Sequence, residues 1–177
     1  MNKQSYSKPV GSRKNPVDAV ELRRPRIEDG AGIWRLVKNT GVLDLNSSYS
    51  YLMLCRYFFE TCVVAEDNGK VVGFLSAFHP PNRPDVIFVW QIGVDASQRG
   101  KGLGISLLKE LLERDSCRNV KYMETTISPS NKPSQSLFKR LARDYGAKVS
   151  VEEFFTPEHF PGGQHEAETM FRIGPLD

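Results

Sequence analysis

The sequence contains no apolar run approaching the roughly 18 residues of a membrane-spanning helix, so no membrane partner is expected. Its three cysteines, Cys55, Cys62 and Cys117, are odd in number and lack C-x-x-C spacing. This argues against a disulfide framework and reads as reduced thiols in a cytoplasmic protein. The three histidines, His79, His159 and His165, show no metal-ligand spacing, so no metal is expected. The body of the chain also has no surplus of either charge. The formal net charge is +3, but residues 1–20 hold Lys3, Lys8, Arg13 and Lys14 against Asp18, and the rest carries 20 basic and 20 acidic residues. The excess belongs to that segment, which argues against a nucleic-acid groove. Residues 1–20 are polar, contain Pro9 and Pro16, and read as a disordered basic tail, neither signal peptide nor anchor. Residues 21–177 form one domain's worth of chain, large enough for a sizeable core.

The most informative stretch runs from Arg99 to Gly104, with Gly100, Lys101, Gly102 and Leu103 between, entered from the apolar run Val86 to Val94. The run reads as a buried strand. Leu103, Leu107, Leu108, Leu111 and Leu112 then stand at helical spacing. Strand, glycine loop and helix in that order make an anion site, because glycines allow close backbone approach and the first helical N–H groups and the dipole favour negative charge. Arg99 and Lys101 add formal charge. The dinucleotide fingerprint fails, since its third glycine would fall on Leu107. The P-loop pattern fails as well, since Ile105 and Ser106 follow Gly104. Arg99, Gly102 and Gly104 fit R-x-x-G-x-G, a phosphate-binding reading, against a bare strand-to-helix turn.

Along the chain, Arg26 to Lys38 alternates apolar and polar residues as a helix stopped at Gly41. Leu43 to Ser48 is a loop, and Tyr49 to Glu60 reads as a largely buried helix. Strands Thr61 to Glu66 and Val71 to Phe78 flank Asn68-Gly69, a hairpin turn. His79 to Pro84 is loop. A strand from Val120 to Ile127 precedes a helix opened near Asn131 and stopped by Gly146, and segments 148–155 and 167–173 read as two final strands. Residues 156–166, rich in Pro, Gly and His, form a loop. This order predicts an α/β fold, a single mixed sheet flanked by helices.

The glycine loop resembles the acetyl-CoA pyrophosphate loop of the GCN5-related N-acetyltransferase superfamily, and the element order is similar to that fold from about residue 21 onward. Asn131, Ser134, Leu137 and Phe138 match a second motif of the superfamily, in which the Asn side chain contacts the pantetheine arm. As a residue by itself Asn131 reads first as a helix N-cap, a role compatible with that contact. Lys139, Arg140 and Arg143 behind it face either the nucleotide phosphates or water. The superfamily often has Tyr at the last motif position, as a proton donor to the departing thiolate; Phe138 has no hydroxyl, so the general acid is unassigned. The segments Leu43 to Leu52, Val89 to Val94, Glu124 to Pro129 and Gly163 to Glu168 resemble the L-2,4-diaminobutyrate acetyltransferases of ectoine biosynthesis.

That resemblance implies acetyl-CoA as co-substrate, a small diamino acid as acceptor, γ-amine acetylation by direct attack, and a homodimer. It implies cofactor contacts from Ile92 and Val94, from Arg99 through Gly104, and from Asn131, Ser134 and Lys139. Asp44 and Glu168 are the candidate catalytic carboxylates, with Asp44, Asn46, Trp90, His165 and Glu168 binding the substrate. Each has a plainer reading: Asp44 as a helix cap, Trp90 as core, His165 and Glu168 as surface residues. An acetyltransferase for another small amine or a protein N-terminus, and a non-catalytic acyl-CoA sensor, are the alternatives. Acetyl-CoA turnover with diaminobutyrate separates them.

Overall fold

The computed structural model describes residues 20–176. The expected tail lies outside the described residues apart from Val20, whose side chain packs against the core. Seven strands form one sheet: β1 (Glu21–Arg23), β2 (Val63–Asp67), β3 (Lys70–Phe78), β4 (Val86–Val94), β5 (Tyr122–Ile127), β6 (Lys148–Phe155) and β7 (Glu168–Gly174). Their order is β1-β2-β3-β4-β5-β7-β6. Every neighbouring pair is antiparallel except β4 and β5. Four helices accompany the sheet: α1 (Gly30–Thr40), α2 (Ser48–Tyr57), α3 (Leu103–Leu112) and α4 (Lys132–Asp144).

The turn and cap signals fall where their chemistry requires. Asn68 and Gly69 both take positive φ in the β2–β3 hairpin, the conformation a two-residue type I′ loop demands. Gly41 ends α1 in the left-handed region. Asn131 caps α4, its side chain accepting from the Ser134 N–H. Two expectations need correction. β1 was not expected; it is three residues long, too short for the alternation of Val20 and Leu22 with Glu21 and Arg23 to announce it, and is held through Arg23, which pairs with both Asp29 and Glu66. α2 is shorter than expected and only partly buried. Tyr51, Leu54 and Cys55 face inward, while Tyr49 and Tyr57 are each 67% exposed. Aromatic density there marks an outward surface as well as a core face.

Strand alternation divides the core in two. Val63, Ala65, Leu75, Ile87, Val89 and Met123 face α3 and α4. Cys62, Val64 and Phe74 face α1 and α2. These last two helices cover only the β2–β4 half of their side, so the same face of β5, β7 and β6 is left uncovered for Glu124, Thr126, Met170 and Arg172. α3 sits on β3 at Gly73, where an added Cβ would lie 3.0 Å from Ala65 Cβ and 3.3 Å from both Leu103 Cδ2 and Leu107 Cδ1. Gly73→Val should therefore lower stability by about 1–3 kcal/mol through overpacking. The measurement is the urea midpoint; an unchanged midpoint would show that α3 shifts freely on the sheet.

Candidate active site

The parallel partners β4 and β5 pair only at Val86–Phe88 with Tyr122–Glu124. Beyond Phe88 they part, and the β4 edge loses its neighbour. The Asp95 N–H donates to the Val72 carbonyl at 2.8 Å. In an antiparallel ladder the bonding residues alternate. Gln91 and Gly93 therefore bond toward β3, while the main-chain groups of Ile92 and Val94 point into the gap. The side chains of Ile92 and Val94 pack on the α3/α4 core, so any contact they make with a ligand in the gap is through backbone.

The register also slips within β4. Ser76 pairs with Gln91 but Ala77 with Val89, leaving Trp90 as an extra residue. Such a bulge re-aims side chains. Before it, Phe88 and Trp90 face the open side of the sheet; after it, Gln91 does. Consecutive residues Trp90 and Gln91 thus line one cavity of about 890 Å³. Trp90 is 45% exposed there and is not core. Gln91 is buried; it donates to the Asp44 carbonyl at 2.7 Å and accepts from Tyr51 Oη at 3.2 Å. These bonds hold the α1–α2 loop, with Asp44 and Asn46, against the cavity mouth.

Asp44 is no helix cap. Ser47 caps α2, accepting from the Ser50 N–H, and the Asp44 carboxylate lies 3.4 Å from His165 Nε2. His165 comes from the β6–β7 loop, 121 residues away in sequence. Its ring stacks on Phe160, with centroids 3.9 Å apart, and Nδ1 faces the Glu166 carbonyl at 2.6 Å. The Glu166 carboxylate ties this loop to Ser130, beside Asn131, at 2.9 Å and 2.5 Å. The imidazole pKa is raised, first by the Glu166 carbonyl, against desolvation, and further by Asp44. Burial likewise raises the carboxyl pKa of Glu168, opposed by Thr126 and by charge on His165. One mouth thus holds an exposed carboxylate, an imidazole and a half-buried carboxyl.

Asp44, Asn46, Trp90, Asn131, His165 and Glu168 all line this cavity. The glycine loop does not; it continues from the far end of β4. Gly100 and Gly102 have φ of +74° and +85°, and Gly102 opens α3 with no side-chain cap. Gly104 is different: its φ is ordinary, and an added Cβ would meet Leu137 of α4 at 3.3 Å, so it serves helix packing. Asp95 braces the loop through Ser97 and Lys70, and these bonds hold its pKa down at about 2. Arg99 and Lys101 are exposed, as is Lys139, while Ser134 is half-buried beside its cap. Phe138 is buried in the core, so it presents no group to the cavity. Among the described residues no cluster of possible metal ligands occurs, and no helix is long and apolar enough to cross a membrane.

The cavity also gathers residues that sequence reasoning assigned no role: Arg83, Gln91, Glu124, Glu152 and Arg172. Gln91 and Glu124 could have been suspected as lone polar residues in apolar strands. Nothing marked the arginines.

A sheet whose central parallel pair splits above an uncapped, glycine-led helix defines a class. The chain belongs to the acetyltransferase (GNAT) family, whose model matches residues 33–142. Its similarity is more particular than that. It is 58% identical over 157 residues to L-2,4-diaminobutyric acid acetyltransferase of Halalkalibacterium halodurans, covering 89% of this chain and 82% of the relative. It is 57% identical over 160 residues to the enzyme of the same name from Marinococcus halophilus, covering 90% and 92%. In structure it is similar to diaminobutyrate acetyltransferase from Paenibacillus lautus in complex with its substrate L-2,4-diaminobutyric acid and coenzyme A. There the TM-score is 0.87 and the identity 43%, with 89% and 96% of the two chains covered.

The Asp44–His165 contact is open to direct test. In Asp44→Asn the His165 imidazole should titrate at lower pH than in the wild type, read from its ring proton shifts by NMR. An unmoved titration would show that Asp44 contributes nothing to it.

Proposed function

We propose that the protein transfers the acetyl group of acetyl-CoA to the γ-amine of L-2,4-diaminobutyrate, giving the N4-acetyl product, by direct attack in a ternary complex. The observation that carries this reading is the convergence of Asp44, His165 and Glu168 where β4 and β5 part, in a chain so similar to enzymes of that name.

The gap suits an extended, amide-bearing arm that ends in pyrophosphate. Ile92 and Val94 offer main-chain groups along it, and α3 presents unpaired N–H groups at its end, with Arg99 and Lys101 beside them. Acetyl-CoA supplies the activated thioester. The acceptor amine has a pKa near 10 and is mostly protonated at neutral pH, so the protein must take a proton from it. Glu168 is the proposed base. Burial raises its pKa above the ordinary carboxylate value, bringing the proton acceptor closer to the working pH. Asp44, far more exposed, holds an ammonium, and the Trp90 ring walls it by cation–π attraction. The Val94 N–H is the proposed donor to the carbonyl oxygen as negative charge develops there. A thiol with pKa about 8.5 leaves as thiolate with little assistance, so the phenyl ring at position 138 is no obstacle.

We also propose a cytoplasmic homodimer serving osmoprotection. The three buried free thiols support the compartment. The exposed edge strand β6, with Val151, Phe154 and Phe155 at its surface, supports self-association.

A thiol-release assay across diaminobutyrate and other diamines, with mass location of the acetyl group, tests the reading. Acetyl on the α-nitrogen, or no turnover with diaminobutyrate, overturns it. Glu168→Gln should lower kcat by about 10²–10⁴-fold, the span of a lost general base, while calorimetric coenzyme A affinity persists. Activity within a few fold of wild type would move the proton transfer to Asp44. Gly102→Val puts a β-branched side chain at φ +85°, a left-handed conformation costing roughly 1–2 kcal/mol even for an ordinary residue. Coenzyme A affinity should be lost in this variant; a wild-type isotherm would remove the glycine loop from the binding site.

A further inference from the structure

The cavity is bipolar along the strands. Glu168, Met170 and Arg172 are alternate residues of β7 and line it in turn. Glu168 stands at the mouth beside His165 and Asp44. Glu152, level with Met170 in the ladder, adds another carboxylate from β6. The cavity's other end carries two arginines. Glu124 is nearly buried, its side chain 6% exposed, and pairs with two arginines. Arg83 takes both its oxygens, at 2.5 Å and 3.1 Å, and has Asp85 beside it as a second counter-charge. Arg172 gives only Nη1 to Glu124. Its guanidinium carbon lies 3.9 Å from the centre of the Tyr122 ring, which fixes the plane of the fork. Glu124 and Asp85 together balance the two guanidinium charges, but Arg172 spends only one N–H on Glu124. Arg172 is therefore a held cation with donors to spare, since a guanidinium has five N–H groups.

We infer that Arg172 receives the α-carboxylate of the acceptor, and that this contact selects an amino acid over a plain diamine. The inference rests on the proposed acetylation of diaminobutyrate and assigns the opposite end of that substrate. Its geometry suits the cavity. Glu168 and Arg172 are four residues apart on one strand, about 14 Å between backbones. Their side chains shorten that span. An extended diaminobutyrate with one charge-assisted hydrogen bond at each end reaches about 11 Å. With the γ-amine at Glu168, the carboxylate falls toward the arginine fork. A guanidinium held flat by a carboxylate and an aromatic ring is preorganised for planar recognition of a second carboxylate.

The test compares diaminobutyrate with 1,3-diaminopropane, which keeps the two amines and lacks the carboxylate. Wild type should prefer diaminobutyrate in kcat/KM by about 10- to 100-fold, the span of a hydrogen bond to a charged group. In R172Q that preference should collapse, chiefly through a higher KM for diaminobutyrate. R172K keeps a cation for Glu124 without the fork and should retain an intermediate preference, which covers the case in which R172Q folds poorly. The thermal midpoint of each variant is recorded alongside. Equal use of the two amines by wild type overturns the inference, as does a preference that survives in R172Q or stays at the wild-type level in R172K. A loss equal for both amines assigns Arg172 to structure alone. Failure of wild type to acetylate diaminobutyrate at all strikes at the substrate itself and is thereby distinguishable.

Discussion

The brevity of one strand pairing governs this molecule. β4 and β5 share three residues of parallel ladder and then separate. A buried sheet normally keeps its main-chain groups paired, because an unpaired one costs as much as a lost hydrogen bond. Here the partner is withdrawn at the centre of the sheet, and the edge carrying Ile92 and Val94 is left without a strand beside it. The rest is arranged around that opening. α3 starts at one end of it with no cap of its own, and the α1–α2 and β6–β7 loops meet across the other side. α3 and α4 pack on a continuous apolar face on the opposite side of the sheet.

The bulge at Trp90 does a second thing with one residue. Without it, Gln91 would point into the α3/α4 core and Ile92 into the cavity. With it, Trp90 and Gln91 both turn toward the cavity while the strand goes on to pack Ile92 and Val94 on the α3/α4 core. Gln91 then serves as the bracket between the sheet and the loop that carries Asp44. The cavity mouth is therefore positioned by a buried amide bonded through both its nitrogen and its oxygen, not by the exposed carboxylates themselves.

What could be read in the sequence was what depends on neighbours in the chain. Asn68-Gly69, Gly41, the glycine loop and the Asn131 cap each declare themselves within a few residues, and they mark an end of β2, β3, α1, α3 and α4. β1 did not, because the alternation of Val20 and Leu22 over so few residues is too short a periodic signal. The outward face of α2 was misread, because aromatic residues look alike whether they face core or solvent. In the cavity, Asp44, Asn46, Trp90, His165 and Glu168 were legible as a set through family resemblance, since spacing alone does not connect residues 121 positions apart. Glu124 and its arginines, 41 and 48 positions distant, were invisible because nothing local distinguishes a cavity arginine from a surface one. The bulge was equally hidden, as it is a property of pairing and not of composition.

The three cysteines have a practical consequence. Burial pushes the Cys55 and Cys62 thiols up to about 12 and raises Cys117 as well. Only the thiolate reacts readily with disulfide reagents, so near neutral pH the folded protein presents almost no reactive sulfur. A chromogenic thiol reagent would count coenzyme released per turnover against a silent background. Once the chain unfolds, the same reagent would meet three ordinary thiols in every molecule. One dye would then follow turnover while the fold lasts and register the loss of the fold when it ends.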